Sequence, residues 1–219
     1  MNIDHHPSEE LLLDYATGAL DEGWSIALAT HLALCPACRQ KVGEMEAIGA
    51  AFMESVVPTS VTQTLTHAVL SELSEDDVET GVLVSENVDS ASFVFPEPLR
   101  GYIGGDLDRV PWKRLGLDVY QSVISTDDKQ SVSRLLRIPT GKPVPTHSHG
   151  GLELTLVLCG AFSDETGHYG RGDFQEADET LKHQPYAVAG EDCICLVVTD
   201  SPLRFSSLAA RMVQPFIGI

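Results

Sequence analysis

The chain has 219 residues, of which 43% are hydrophobic and 21% charged, and 32 Asp and Glu against 14 Lys and Arg give a formal net charge of −18. That mixture of apolar and charged residues excludes a long disordered chain and predicts a packed core. The negative surface repels phosphate backbones, which argues against direct nucleic-acid binding, and it attracts basic proteins at long range.

No run of about 18 apolar residues offers a membrane span. The opening MNIDHHPSEE is acidic and polar where a signal peptide is basic and then apolar, so a cytoplasmic location is expected. Thiols stay reduced there, which makes Cys35, Cys38, Cys159, Cys193 and Cys195 candidates for metal binding or catalysis before disulfides. The acid is concentrated at the front. Residues 1–80 hold two basic residues, Arg39 and Lys41, against 14 Asp and Glu, a net −12, and the remaining 139 hold 12 against 18, a net −6.

Between Pro7 and Ser55 the apolar residues recur at three- and four-residue spacing: Leu12, Tyr15 and Ala16, then Ile26, Leu28, Leu32 and Leu34, then Val42, Met45, Ile48 and Phe52. This predicts three helices, with Gly18 and Asp21 punctuating the first two and Pro36 suited to the first turn of the third. VPTS at 57–60 is a break, and VTQTLTHAVLSEL, with Val61, Leu65, Val69 and Leu73 on one side, predicts a fourth. Four helices in so short a segment make a small bundle with a thin core.

His31 and Cys35 lie four apart on the second predicted helix and share a face, and Cys38 follows at the start of the next, where free backbone N–H groups favour a thiolate. His6, or its neighbour His5, completes a two-Cys, two-His set of the kind structural zinc prefers. A thioredoxin-type redox pair also has Cys-Pro-x-Cys, but it follows a strand, and here the preceding SIALATHLAL is helical. Inert buried cysteines are the third reading. An N-terminal His followed by His-x-x-x-Cys-x-x-Cys between short helices resembles the zinc-binding anti-sigma domain. That resemblance implies zinc at His6, His31, Cys35 and Cys38, and a helical domain that blocks the access of an extracytoplasmic-function sigma factor to RNA polymerase.

SEDDVETGVLVSENVDSASFVFPEPLRGYIGGD loses both periodicities and reads as a linker, with a short edge strand at SFVF. Beyond Arg109 the pattern turns to β: LGLDVYQSVIS, VSRLLRI, LELTLVLCGAF, CICLVVT and LRFSS, separated by Gly, Pro and Asp clusters, which suggests a sandwich or jelly-roll barrel. Within it, GKPVPTHSHGGLELTLVLCG places His147 and His149 on one face of a strand, with Glu153 able to meet them across the ladder. From Gly141 to Gly160 the spacing is similar to the first cupin motif at every defined position. The second cupin motif supplies one more histidine. His183, eleven residues after Gly172, fills that place, although the chain lacks the family's Pro-x-Gly before it and Asn after it. His168, in what reads as a turn, is the reserve. Three His and one Glu suit zinc first, or manganese, iron or nickel. Cys193 and Cys195 share a face as buried small side chains, with redox sensing as the minor reading.

The expected architecture is therefore two domains: a small all-α zinc-binding helical bundle over 1–80, a linker over 81–108, and an all-β cupin-like jelly-roll barrel over 109–219. The combination resembles the ChrR-type anti-sigma factors. It implies a cytoplasmic transcription regulator, not an enzyme, that sequesters an extracytoplasmic-function sigma factor and releases it under oxidative stress of the singlet-oxygen type. A cupin with three His and one Glu also resembles metal-dependent dioxygenases and isomerases, and the enzyme alternative makes the helices an accessory domain.

Overall fold

The computed structural model describes residues 2–72, 93–116 and 118–206. Its helices are α1 (Glu9–Ala16), α2 (Glu22–Leu34), α3 (Pro36–Glu54), α4 (Gln63–Glu72) and α5 (Glu97–Ile103). α1 starts where the sequence supplies a cap: Ser8 Oγ accepts the Leu11 amide at 3.3 Å, with Glu9 and Glu10 at the positive end of the helix. Pro36 opens α3, where its missing N–H is not needed. α4 falls within the fourth predicted helix.

The strands are β1 (Lys113–Gly116), β2 (Val119–Val123), β3 (Val132–Ile138), β4 (His147–Ser148), β5 (Glu153–Cys159), β6 (Ala161–Ser163), β7 (His168–Gly170), β8 (Phe174–Ala177), β9 (Lys182–His183), β10 (Tyr186–Ala187), β11 (Cys193–Thr199) and β12 (Arg204–Phe205). They form a six-stranded sheet in the order β1-β2-β3-β11-β5-β8 and two three-stranded sheets, β10-β6-β7 and β12-β4-β9. The long predicted strands are present, and VSRLLRI and CICLVVT are matched residue for residue as β3 and β11. The short strands β8, β9 and β10 were not anticipated, and the strand expected to carry His147 and His149 is present as β4 but ends at Ser148. His168, expected in a turn, begins β7. Of SFVF, Ser92 lies outside the described residues and Phe93 to Phe95 form no strand.

Two compact units are distinguished, Met1–Glu46 with Val94–Ile219, and Ala47–Phe93. In the first, the central strands β5 and β11 of the six-stranded sheet are buried on both faces, while the edge strand β1 is largely exposed. Leu154, Leu156 and Leu158 of β5 and Ile194, Leu196 and Val198 of β11 join Leu12, Ala27, Leu28 and Leu99 from the helices in one core. On the other face, Val157, Cys193, Cys195 and Val197 pack with Phe162 and Tyr169 inside the barrel. A central strand buried on both sides carries a continuous apolar run, which is why β11 reads CICLVVT without alternation. The thin core expected for the helical region is thus supplied by the outer face of the sheet, at about 1.5–3 kcal/mol for each large apolar side chain removed from water.

α2 is apolar nearly all round because it packs on β5 and β11 with α1 and α5 beside it. Its approach is close at Gly23, where an added Cβ would fall 2.4 Å from Ser131 Oγ and 2.7 Å from Ser133 Oγ. The Gly23 amide is capped from the sheet by Asp128 Oδ2, between β2 and β3, at 2.8 Å. Of the segment expected as linker, residues 93–108 carry α5 and a 3₁₀ turn, with Phe95 and Leu99 buried.

In the second unit the described residues are 47–72 and 93, which comprise the end of α3, the connection after it and α4. α4 has no buried residue, and Phe52, Leu65 and Val69 are 70%, 56% and 53% exposed.

Candidate metal centres

The first cluster is assembled from three pieces of chain. Residues 4–8 run along the edge of β8: the Asp4 and His5 amides donate to Asp173 Oδ1 at 2.7 and 2.9 Å, Phe174 N donates to His5 O at 3.1 Å, and Ser8 N donates to Glu176 Oε1 at 2.6 Å. This course delivers His6, whose Nδ1 lies 3.4 Å from both Cys35 Sγ and Cys38 Sγ. Bonds of about 2.0–2.3 Å to a tetrahedral centre separate ligand atoms by roughly 3.3–3.8 Å, so the spacing fits such a centre. Cys35 ends α2 one turn after His31, and the Cys38 amide donates to its sulfur at 3.4 Å from the first turn of α3. The ligand atoms of His6, His31, Cys35 and Cys38 all lie within 4.8 Å of one another. His5 turns away, its ring 4.3 Å from Tyr169 and its Nδ1 3.6 Å from Asp173.

His31 is held as a ligand should be. Its Nδ1 donates to the Gly172 carbonyl at 2.9 Å, and because a carbonyl only accepts, the free lone pair is on Nε2, a buried atom with no hydrogen-bond partner. Burial, partly opposed by that hydrogen bond, holds the imidazole down at about 4, so the ring is neutral at pH 7. Burial and the neighbouring Cys35 push the Cys38 thiol up to about 12. A cation at this point would replace thiol protons and accept the orphaned Nε2 lone pair, so the residues present fit a metal.

The second cluster lies inside the barrel. Gly160, which closes the first motif, sits at φ +65°, and a Cβ there would fall 2.6 Å from the Asp192 carbonyl, so the turn after β5 requires glycine. His147 on β4 is paired directly with His183 on β9, which brings the two motifs together. Each of the three imidazoles donates through Nδ1: His147 to Pro145 O at 2.8 Å, His149 to Asp178 O at 3.1 Å and His183 to Asp164 Oδ2 at 2.6 Å. All three Nε2 lone pairs therefore converge. His147 Nε2 and His183 Nε2 are 3.1 Å apart, and His149 Nε2, buried without a hydrogen-bond partner, is 3.7 Å from Glu153 Oε1. Facing lone pairs repel unless a cation sits between them, and the carboxylate supplies charge. The four ligand atoms lie within 4.8 Å of one another.

The charges in this site are set by competition. Burial pushes Glu153 up, but the three histidines, His149 foremost, outweigh it and hold the carboxyl below its usual range. Burial likewise lowers His147 and outweighs Glu153, whereas at His149 the Glu153 carboxylate prevails and the ring is raised. Asp164 is held well below the carboxylate range because His183, Thr166 and Gln175 all donate to it, against the effect of burial.

The family model of the ChrR cupin-like domain matches residues 101–202. The anti-sigma-E factor ChrR of Cereibacter sphaeroides is 43% identical over 219 residues, covering 100% of both chains. This chain belongs to the ChrR family of anti-sigma factors. A chain of the crystal structure of Rhodobacter sphaeroides SigE in complex with the anti-sigma ChrR superposes with a TM-score of 0.78 at 41% identity, over 91% of this chain and 100% of that one.

The residues that orient the ligands of this ChrR-family chain were not found from sequence. Asp164 sits in SDETG, which reads only as a turn, and its Oδ1 does accept the Thr166 and Gly167 amides. Its other oxygen faces inward to His183, and no local pattern marks that. Gly172 and Asp178 act through backbone carbonyls, which carry no side-chain signal. His168, the reserve ligand, is exposed, and its Nδ1 bonds Ser163 Oγ at 2.9 Å outside the cluster. Cys193 and Cys195 are free and buried with sulfurs 3.5 Å apart, and half-buried Cys159 donates to Glu191 Oε2 at 3.3 Å.

Proposed function

We propose that this chain is an anti-sigma factor that holds an extracytoplasmic-function sigma factor inactive through its helical region, with the cupin-like region serving as a metal-binding sensor. The observation that carries the reading is the full-length match to a protein named as an anti-sigma factor. The solved chain it superposes with was crystallised in complex with SigE. Because the match runs through helices and barrel alike, the chain is a regulator, and the dioxygenase or isomerase alternative is set aside.

The chemistry of the helical region supports the reading. Phe52, Leu65, Val69 and Leu70 on α3 and α4 are exposed, and an apolar face of this kind buries itself in a partner. The net −12 over residues 1–80 complements a sigma factor, whose surfaces are basic where they meet DNA. In this reading residues 1–80 are the anti-sigma domain, 81–108 the linker and 109–219 the cupin-like domain. No described helix is long and apolar enough to cross a membrane, and the site of action is the cytoplasm, without direct nucleic-acid contact.

His6, His31, Cys35 and Cys38 hold zinc, which fixes the α2–α3 junction and the N-terminal strap in one arrangement. His147, His149, Glu153 and His183 hold a divalent metal, zinc first among zinc, manganese, iron and nickel. Singlet oxygen or a related oxidant is the signal, and release requires the complex to weaken by about 1.4 kcal/mol for each tenfold loss of affinity.

Co-expression with the extracytoplasmic-function sigma factors of the host tests this. The metal-loaded chain captures one of them in a 1:1 complex, and Cys35→Ala with Cys38→Ala abolishes capture. A chain that captures none overturns the proposal.

A further inference from the structure

We propose that the turn between β7 and β8, together with the start of β8, positions two of the four ligands of the N-terminal cluster, so that the state of the barrel cluster sets how tightly that site holds its metal. This rests on the ligand assignments above. One carboxylate makes the mechanical tie. Asp173 Oδ1 accepts the amides of Asp4 and His5, the two residues before His6, while its Oδ2 accepts the Gly170 amide across the turn between β7 and β8 at 2.8 Å. The adjacent Gly172 carbonyl fixes which His31 nitrogen is free. Both contacts come from the barrel, and neither comes from the helices that carry the cysteines.

The same short stretch of chain reaches the other cluster. Successive side chains of a strand point to opposite faces. The Phe174 ring lies edge-on to His31, with centroids 5.6 Å apart, while Gln175 turns into the barrel and donates to Asp164 Oδ2 at 2.8 Å. That oxygen also accepts His183 Nδ1. A cation under the three Nε2 atoms fixes His183, hence Asp164, hence Gln175 and the strand that carries Gly172 and Asp173. Without it, converging lone pairs drive the imidazoles apart and β8 loses an anchor. Metal sites tolerate only about 0.2 Å of ligand displacement, so a small shift of this strand is felt at His6 and His31. Linkage makes the effect reciprocal.

The test uses the full chain loaded with cobalt(II). Of the two ligand sets only the N-terminal one contains thiolates, so sulfur-to-cobalt charge-transfer absorption reports that site alone. Its decay under excess EDTA gives the release rate. Asp173→Ala should speed the decay about 10- to 100-fold. Asp173→Asn, which retains an acceptor for the Asp4 and His5 amides, should fall between it and wild type. His147→Ala, whose ring bonds the Pro145 carbonyl and faces His183 and so weakens the barrel cluster without touching β8, the turn before it or Asp164, should speed the decay about 5-fold or more. Wild-type decay in Asp173→Ala, or in His147→Ala, overturns the inference while leaving the ligand assignments intact. Absence of the thiolate band from the wild-type chain overturns the assignments and the inference together.

Discussion

Replacing His31 by Gln isolates a single buried titration whose size follows from the fold. His31 is fully buried, and its folded value is about 4 against an ordinary 6.5, with burial the leading cause. Between those two values the unfolded chain binds one proton that the folded chain refuses. Stability is therefore present in full above pH 6.5 and is lost as pH falls toward 4, at about 1.4 kcal/mol per pH unit and about 3 kcal/mol in all. Metal on Nε2 acts in the same direction, because proton and metal compete for one lone pair. Gln keeps an amide donor for Gly172 and does not titrate. His147 is also lowered and contributes to both proteins alike. Urea unfolding of metal-free wild type and metal-free His31→Gln at steps between about pH 4 and pH 7.5 should show the wild type losing about 3 kcal/mol more over the window. Parallel curves for the two proteins would refute the assignment of a neutral, partner-free Nε2.

Other changes should separate the parts of the molecule. Asp164→Asn removes the charge that orients His183 and should weaken metal binding at the barrel site about 10- to 100-fold, read by competition with a chromogenic chelator; unchanged affinity contradicts the role. Leu65→Asp or Val69→Asp on the exposed face of α4 should leave stability within about 0.5 kcal/mol, read by thermal melting, yet reduce affinity for the sigma factor at least about tenfold. Normal affinity would show that this face is not the docking surface. Leu196→Ala, in the core shared by helices and sheet, should cost about 2–5 kcal/mol. Far-UV dichroism and tryptophan fluorescence should then report one coincident transition. Separate transitions would contradict a common core.

Legibility in the sequence followed the range over which each signal acts. The helices and the long strands were marked by periodicity and by local punctuation such as Gly18, Asp21 and Pro36. Both ligand sets were marked by spacings that strand and helix geometry impose, which is why His31 and Cys35, or His147 and His149, could be read as sharing a face. The choice of His6 over His5 could not, because it depends on a backbone tie to Asp173, about 170 residues away along the chain. The two-residue strands β4, β9 and β10 are too short to show a period, and His183 owes its place to pairing with His147. The union of helices and sheet around Leu28 and Leu196 was hinted at only by the unbroken apolar run of β11, which a barrel interior explains equally well.

The most direct measurement is transcription from a promoter that depends on the cognate extracytoplasmic-function sigma factor, reconstituted with core polymerase and titrated with this chain. Metal-loaded wild type should extinguish the transcript near one equivalent, while the Cys35→Ala, Cys38→Ala double variant leaves it intact. A transcript that persists under excess metal-loaded wild type, with that sigma factor present, would contradict the anti-sigma reading at its root.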